Sequence, residues 1–406
     1  MNYISAKLSA VKPSASMAAS MAAQALRATG VDVIDLGLGE PDFPTPVHII
    51  EATYKAALDG ETHYTAAAGT LALREAIVEK FRRENDLDYR PADIVVANGA
   101  KQVIFNALMA TLNHGDEVIL PAPYFVSYPE MVKLLGGVPI IADCPAATGF
   151  RLTPDALEAA ITPRTKWLFL NMPNNPSGAA YSQAQLRMLA AVLERHPGVL
   201  VLSDEIYEHI IFDGREFTSF GKACPQLRER TLIVNGVAKA FAMTGWRIGY
   251  AAGPAPLVKA MNTVQSQSCT SVAAPMQAAA RAALTGPQDC VPMFRTAFER
   301  RRDLVVAGIA GIKGLTLPPP EGAFYAYIGC ADLIGRQTPS GSVLKDDVDV
   351  VHYLLAEGHV SAVPGTAYGL SPFFRISTAT ADAILVEAVT RIGRAVAALA
   401  TGGGRA

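Results

Sequence analysis

No stretch of this 406-residue chain reaches the roughly 18 uninterrupted apolar residues of a membrane-spanning helix, so no transmembrane segment and no membrane partner are expected. The N-terminal stretch MNYISAKLSAVKPSASMAASMAAQ lacks a continuous apolar core, and no signal peptide is expected. Cysteine is scarce: five residues (Cys144, Cys224, Cys269, Cys290, Cys330), odd in number and without a CxxC pair, argue against a disulfide framework or a zinc site. They are expected as buried small apolar residues of a protein in a reducing cytoplasm. Seven histidines show no HExxH spacing, so no metal site is expected. A formal net charge of −2 without any long basic run speaks against nucleic acid or anionic membrane as the main partner. Neither a P-loop nor a GxGxxG after the first strand is present, and the missing glycine fingerprint disfavours a nicotinamide dehydrogenase. What the chain has in quantity is apolar residues: half of it is hydrophobic and 18% charged, enough for two domains with sizeable cores.

From about residue 94 to 253, short β-rich apolar runs alternate with helical stretches: IVVANG (94–99), VILPAP (118–123), VPIIAD (138–143), KWLFLNMP (166–173), VLVLSDE (199–205), TLIVNG (231–236) and IGYAAG (248–253). Near-continuous apolar strands separated by helices indicate an α/β architecture, a mainly parallel sheet covered on both faces. Ligands of such sheets bind beyond the carboxyl ends of the strands, so Asn98, Asn171, Asp204 and Asn235 are expected to face one crevice. The part beyond about 295 differs in character, with a charged helix FERRRDLVVAGI (298–309), a Gly- and Pro-rich region and a final helix from about 380 to 399. The chain is therefore divided into an N-terminal arm contributing to a small domain (1–47), a large domain (48–294) and a small C-terminal domain (295–406). The tail TGGGRA is expected to be disordered.

Several polar residues stand in apolar company. Lys239 lies in NGVAKAFAMTGWRIGY (235–250) among alanine, valine, phenylalanine and methionine. Loss of water disfavours the ammonium form, and a free amine can condense with an aldehyde such as that of pyridoxal phosphate, with Arg247 eight residues on to hold the phosphate. The alternative is a snorkelling surface lysine. Asp204 ends a run of five apolar or small residues; it is either an N-cap or the partner of a protonated ring nitrogen, with Tyr207 three residues on able to reach the same ring. In NMPNNPSG (171–178) prolines frame two asparagines, so Asn175 is either a loop residue or a donor to a phenolate or carboxylate. Gly99-Ala100-Lys101 opens a helix after a strand and offers backbone N–H groups to an anion. Phe125, in PAPYFVSYPE, is a core aromatic or a stacking platform. Arg375, in SPFFRIST, is a buried ion-pair member or a carboxylate receptor, because its planar fork matches carboxylate geometry.

The motifs LGLGEPDFPTP (36–46), HYTAAAG, GAKQ, PYFVSYPEM, NNPSG, SDEIYE, AKAFAMTGWRIGY and FRIS occur in an order and spacing that closely resemble class I aminotransferases, specifically the bacterial aspartate aminotransferase branch, over about residues 5–395. The resemblance implies the pyridoxal phosphate-dependent transferase fold of the aspartate aminotransferase type. That fold has a large domain with a mainly parallel seven-stranded sheet, a smaller α+β domain, and a homodimer with shared active sites. It also implies pyridoxal 5'-phosphate as cofactor and amino acids with 2-oxo acids as substrates, aspartate and glutamate first among the donors. By the same resemblance Lys239 binds the cofactor covalently and Asp204 holds its ring nitrogen. Tyr207 and Asn175 donate to its ring oxygen, and Phe125 stacks on the ring. Gly99, Ala100, Lys101 and Arg247 hold the phosphate, with Tyr64 reaching it from the other subunit. Arg375 then binds the substrate α-carboxylate, Gly39 supplies a backbone contact, and Lys12 is either a recogniser of a side-chain carboxylate or a solvated lysine. The chain departs from the branch at Phe125, where most members have tryptophan, at Ala238 before the lysine, where many have serine, and in GTLALREAI (69–77), which lacks the usual Ile-Pro-Glu. Alternatives on the same scaffold are an aminotransferase for aromatic substrates or prephenate and a β-lyase or synthase. A cofactor-binding regulator needs a DNA-binding module for which there is no room before residue 30.

Overall fold

The computed structural model describes residues 3–400; the tail TGGGRA lies outside the described residues. The strands are β1 (Ile34–Asp35), β2 (Ile94–Ala97), β3 (Glu117–Ala122), β4 (Val138–Asp143), β5 (Thr165–Asn171), β6 (Leu200–Asp204), β7 (Thr231–Gly236), β8 (Gly249–Ala252), β9 (Tyr325–Gly329), β10 (Val360–Ser361), β11 (Val363–Pro364) and β12 (Phe373–Ser377). Each of the seven apolar runs read from the sequence forms one strand of a seven-stranded sheet, in the order β2-β8-β7-β6-β5-β3-β4. The sheet is parallel except at β8, which runs antiparallel to both β2 and β7.

Residue parity along these strands explains why they read as unbroken apolar runs. Ile94, Val96, Val201 and Ile233 pack into one core cluster, while Val95, Ala97, Leu202, Leu232 and Val234 pack into another. Successive side chains point to opposite faces, so a sheet with helices on both sides needs apolar residues at every position. Helices Leu71–Asn85 and Gln183–Glu194 supply residues to the first cluster; helices Ala100–Thr111 and Ala255–Ser268 supply the second.

A third core cluster belongs to the C-terminal part, where Val305, Ile309, Ile328, Val350, Leu354, Phe374, Ile376, Leu385 and Ile392 pack together with Leu36 from the N-terminal arm. It is built on an antiparallel sheet, β11-β12-β9, and on a parallel pair in which β1 joins β10. Chain entry and chain end therefore share one core. Helix Cys290–Ala310 runs unbroken across the 294/295 division: Pro292 falls in its first turn, where a missing N–H costs nothing, and the helix ends only at Gly311. Among the described residues no helix is long and apolar enough to cross a membrane. Of the five cysteines, Cys144, Cys224 and Cys330 are buried as expected, but Cys269 and Cys290, at the end of one helix and the start of another, are only partly covered.

Candidate active site

At the carboxyl edge of the large sheet lies a cavity of about 450 Å³. Its floor comes from Asn171 at the end of β5, Asp204 at the end of β6, and Lys239 in the loop after β7. Gly99, Ala100 and Lys101 at the start of helix Ala100–Thr111 form one wall with Arg247. Tyr325 of β9, Arg375 of β12, and Ser14, Ser16, Leu38, Gly39 and Glu40 from the N-terminal arm form the opposite side. Phe125, Asn175 and Tyr207 complete it, so the residues singled out in the sequence converge here, apart from Tyr64, Lys12, Asn98 and Asn235. Tyr64 is 90% exposed and lines a separate groove with Val272 and Pro275. Lys12 is exposed outside the cavity, its backbone N–H donating to Glu130 at 2.7 Å.

Lys239 does not snorkel outward. Its Nζ donates to the Gly39 carbonyl at 2.6 Å and sits 5.4 Å from the Phe324 ring centroid and 5.7 Å from that of Tyr207. Burial brings its amine down to about 8; the Glu40 carboxylate opposes this and the Arg375 charge adds to it. Free amine is thus accessible near neutral pH, as a lysine nucleophile requires.

Asp204 caps no helix; a short turn follows it, and Ile206 N–H donates to its Oδ1 at 3.3 Å. Its Oδ2 accepts from the Tyr128 hydroxyl at 2.5 Å. Burial raises its carboxyl to about 6 despite those bonds and the Lys239 charge. A buried carboxylate in that condition gains from a nearby cation, and a protonated ring nitrogen in the cavity would be one. Tyr128 was missed in the sequence because an aromatic in PYFVSYPE reads as core; only its hydroxyl distinguishes it.

The wall at Gly99 is shaped for an anion. Gly99 has φ 89°, and a Cβ there would collide with the Arg247 guanidinium, so only glycine lets the arginine lie against this helix start. Arg247 itself takes the left-handed φ of 57°, and its guanidinium donates to the Thr244 and Asn98 carbonyls at 2.9 and 3.2 Å. Burial and the Arg247 charge lower the Lys101 amine. Two cations and a helix N-terminus meet with no carboxylate paired to Lys101 or Arg247 among the described residues, an arrangement that suits a phosphate.

Arg375 is 2% exposed and forms no ion pair among the described residues. Its guanidinium donates to Asn175 Oδ1 at 3.3 Å and to the Gly37 carbonyl, and it lies between the rings of Tyr325 (4.7 Å) and Tyr368 (5.4 Å). Its Nε has no partner at all. A buried guanidinium that lines a cavity and has no carboxylate of its own among the described residues is chemically suited to receive one.

Two expectations need correction. Asn98 and Asn235 do not reach the cavity. Asn98 touches the site only through its backbone carbonyl. Asn235 turns away: its Nδ2 donates to Glu208 at 2.8 Å and its Oδ1 accepts from Gly236 N–H at 2.7 Å. A strand end fixes the position of a backbone but not the direction of a side chain, and the buried Glu208 carboxylate draws the amide behind the sheet edge. Tyr325 and Glu40 line the cavity without having been singled out in the sequence.

A lysine with an accessible free amine, a buried aspartate and an anion cradle at the carboxyl edge of the large sheet suit an enzyme that works on small anionic molecules. The family model described as "Aminotransferase class I and II" matches residues 31–392, and the chain belongs to that family; it is an aminotransferase, acting on amino and 2-oxo acids. It is 55% identical over 373 residues to the aspartate aminotransferase of Rhizobium meliloti (strain 1021), covering 92% of this chain and 91% of that one. It is 53% identical over 392 residues to the aspartate/prephenate aminotransferase of Cereibacter sphaeroides, covering 97% and 98%. The fold is that of the aspartate aminotransferases: a crystal structure of the Rhizobium meliloti enzyme superposes with a TM-score of 0.96 at 52% identity, over 98% of this chain and all of the other.

Proposed function

We propose that the cavity binds pyridoxal 5'-phosphate and that the enzyme moves an amino group between aspartate or glutamate and a 2-oxo acid, as a cytoplasmic homodimer. The observation that carries this reading is the pairing, in one cavity, of a lysine whose amine is brought down to about 8 with a buried arginine that has no carboxylate partner among the described residues. Gly99, Ala100, Lys101 and Arg247 would hold the phosphate, Asp204 the ring nitrogen, Tyr207 and Asn175 the ring oxygen, and Phe125 would lie against the ring. When bound, the cofactor supplies a carbonyl for the amino group and an electron sink for the carbanion left at Cα. Arg375 orients the α-carboxylate so that the Cα–H bond faces Lys239. Lys239 Nζ takes the Cα proton and returns one, as base and then acid. Asp204, held by Tyr128, keeps a proton on the ring nitrogen. Ser14, Ser16 and Met17 of the arm line the cavity and would limit water at its side. On this reading residues 48–294 carry the cofactor, 295–406 with the arm 1–47 carry the carboxylate receptor, and Tyr64 reaches the partner's phosphate.

Phe125 favours one second reading, in which prephenate or another bulky oxo acid is also accepted. Phenylalanine leaves more room beside the ring than the tryptophan usual in this branch, and the Cereibacter relative carries both substrates in its name. A panel of amino donors against 2-oxoglutarate and prephenate, run on the wild type and on Phe125→Trp, tests both. Activity with aspartate and glutamate, with the prephenate rate reduced in the variant, is the expected result. Turnover of neutral donors only would overturn the aspartate reading.

A further inference from the structure

A second phenol stands beside Tyr207 in the cavity. Tyr325, on β9, is 2% exposed and lines the cavity with its hydroxyl 2.7 Å from that of Tyr207. The two rings meet edge-on, with centroids 5.8 Å apart at 82°. Three neighbours fix Tyr325. The Arg375 guanidinium lies over its ring at 4.7 Å. Phe324 is tilted against it at 4.9 Å. The Gly39 backbone packs so closely that a Cβ there would collide with the Tyr325 hydroxyl. The glycine whose carbonyl accepts from Lys239 is therefore also the glycine that makes room for this hydroxyl.

We propose that Tyr325 is a positioning residue that donates its hydroxyl proton to the Tyr207 oxygen, which commits the single Tyr207 proton to the ring oxygen of the bound cofactor. The inference rests on the cofactor reading given above. A phenol has one proton and two acceptor positions, so of two phenols in contact only one can donate to the other. A positive charge beside a phenol makes its O–H more acidic. The permanently charged Arg375 lies 4.7 Å from the Tyr325 ring, whereas the amine over Tyr207, Lys239 at 5.7 Å, is farther and gives up its charge near about 8, which favours Tyr325 as the donor. The hydroxyl of Tyr207 can accept from Tyr325 and donate into the cavity at once, and hydrogen bonds in such a chain strengthen one another. The charged and titratable groups that face the pair are Arg375 and Tyr368 on the C-terminal side, Asp204 with Tyr128 on the floor, and Lys239 over the Tyr207 ring. None of them competes for the Tyr325 proton within hydrogen-bond distance.

Donation to the ring oxygen withdraws electron density from the conjugated linkage to Lys239 and makes its nitrogen less basic. Weakening the chain should therefore shift the pH titration of the holoenzyme's visible absorbance band upward. The test is that titration, without substrate, for the wild type, Tyr325→Phe, Tyr207→Phe and the double variant. Tyr325→Phe should raise the midpoint by a few tenths of a unit, Tyr207→Phe by about one unit or more, and the double variant should match Tyr207→Phe. Gly39→Ala, which displaces the Tyr325 hydroxyl while keeping the phenol, should move the midpoint in the same direction and serves if Tyr325→Phe does not fold. A wild-type midpoint in Tyr325→Phe, or a Tyr325→Phe shift that persists without the Tyr207 hydroxyl, overturns the proposal. A wild type with no band that responds to pH or to an amino acid overturns the cofactor reading instead, and the two failures are thereby told apart.

Discussion

The cavity around Lys239 and the buried polar cluster around Lys80 use the same residue types to opposite effect. Lys80 is fully buried, yet its Nζ donates to Asn85 at 2.7 Å and is ion-paired with Glu208. Glu208 accepts in turn from Asn85 at 2.6 Å and Asn235 at 2.8 Å. Burial alone would push the Glu208 carboxyl up, but the charges of Lys80 and His209 and these hydrogen bonds hold it below its ordinary value. Lys80 is answered by a carboxylate, which holds its charge in place rather than leaving its amine available. Lys239 makes one hydrogen bond, to a carbonyl, and Asp204 lies at the cavity floor with its carboxyl raised to about 6. Lys239 is also less buried than Lys80, but what chiefly separates the structural lysine from the reactive one is compensation by the carboxylate that answers Lys80.

Exchanging the two lysines' fates is the strongest way to break that comparison. Lys239→Ala should lower transamination by at least about 10⁴-fold while leaving thermal unfolding near that of the wild type, because nothing depends on its charge for packing. Steady-state assay with differential scanning calorimetry reads both. Near-normal turnover would remove the lysine from the mechanism.

Lys80→Met should do the reverse. Leaving Glu208 buried without its cation should cost about 3–5 kcal/mol of stability, read by denaturant unfolding, with turnover per folded molecule close to normal. A stable but inactive variant would mean that the cluster also serves the reaction.

At the cavity's far end, Arg375→Ala should raise KM for every amino and oxo acid, by about 2–5 kcal/mol in kcat/KM, since all share an α-carboxylate. An effect confined to dicarboxylic substrates would assign Arg375 to the side-chain end instead. The smallest effect is expected at Tyr64, which is exposed in the single chain. Tyr64→Phe should weaken cofactor binding by about 0.5–3 kcal/mol, read by fluorescence titration, because one hydrogen bond to a charged phosphate from the partner subunit is lost. Unchanged affinity, or full activity in a monomer at high dilution, would contradict shared sites.

The same contrast explains what could be read from the chain alone. The seven strands of the large sheet were legible because burial on both faces demands apolar residues at consecutive positions, a pattern few other structures write. Lys239, Asp204 and Arg375 were legible because a charged residue inside an apolar run is costly and invites a reason. Tyr325 and Tyr128 were not, since an aromatic in an apolar segment looks the same whether its hydroxyl is idle or bonded. Asn235 misled for a related cause: its strand end was right, but the carboxylate that turns its amide away comes from Glu208, 27 positions earlier. The joining of β1 to β10 was legible only as an arm that accompanies the small domain, because a two-residue pair carries no periodicity of its own.

The pH dependence of covalent loading follows from the Lys239 amine at about 8. The free amine is the reacting form, so the rate at which cofactor-free protein takes up pyridoxal 5'-phosphate should rise with pH and level off above about 8, at a lower pH than for an ordinary lysine near 10.4. The most direct measurement of the central claim fixes that linkage in place: load the protein with pyridoxal 5'-phosphate at about pH 7.5, reduce it with borohydride, and map the modified peptide by mass spectrometry. Stoichiometric modification of Lys239, with Lys80 untouched, is the result that compensation predicts. Modification at Lys80 or Lys101, or undiminished site-specific modification in Lys239→Ala, would contradict it.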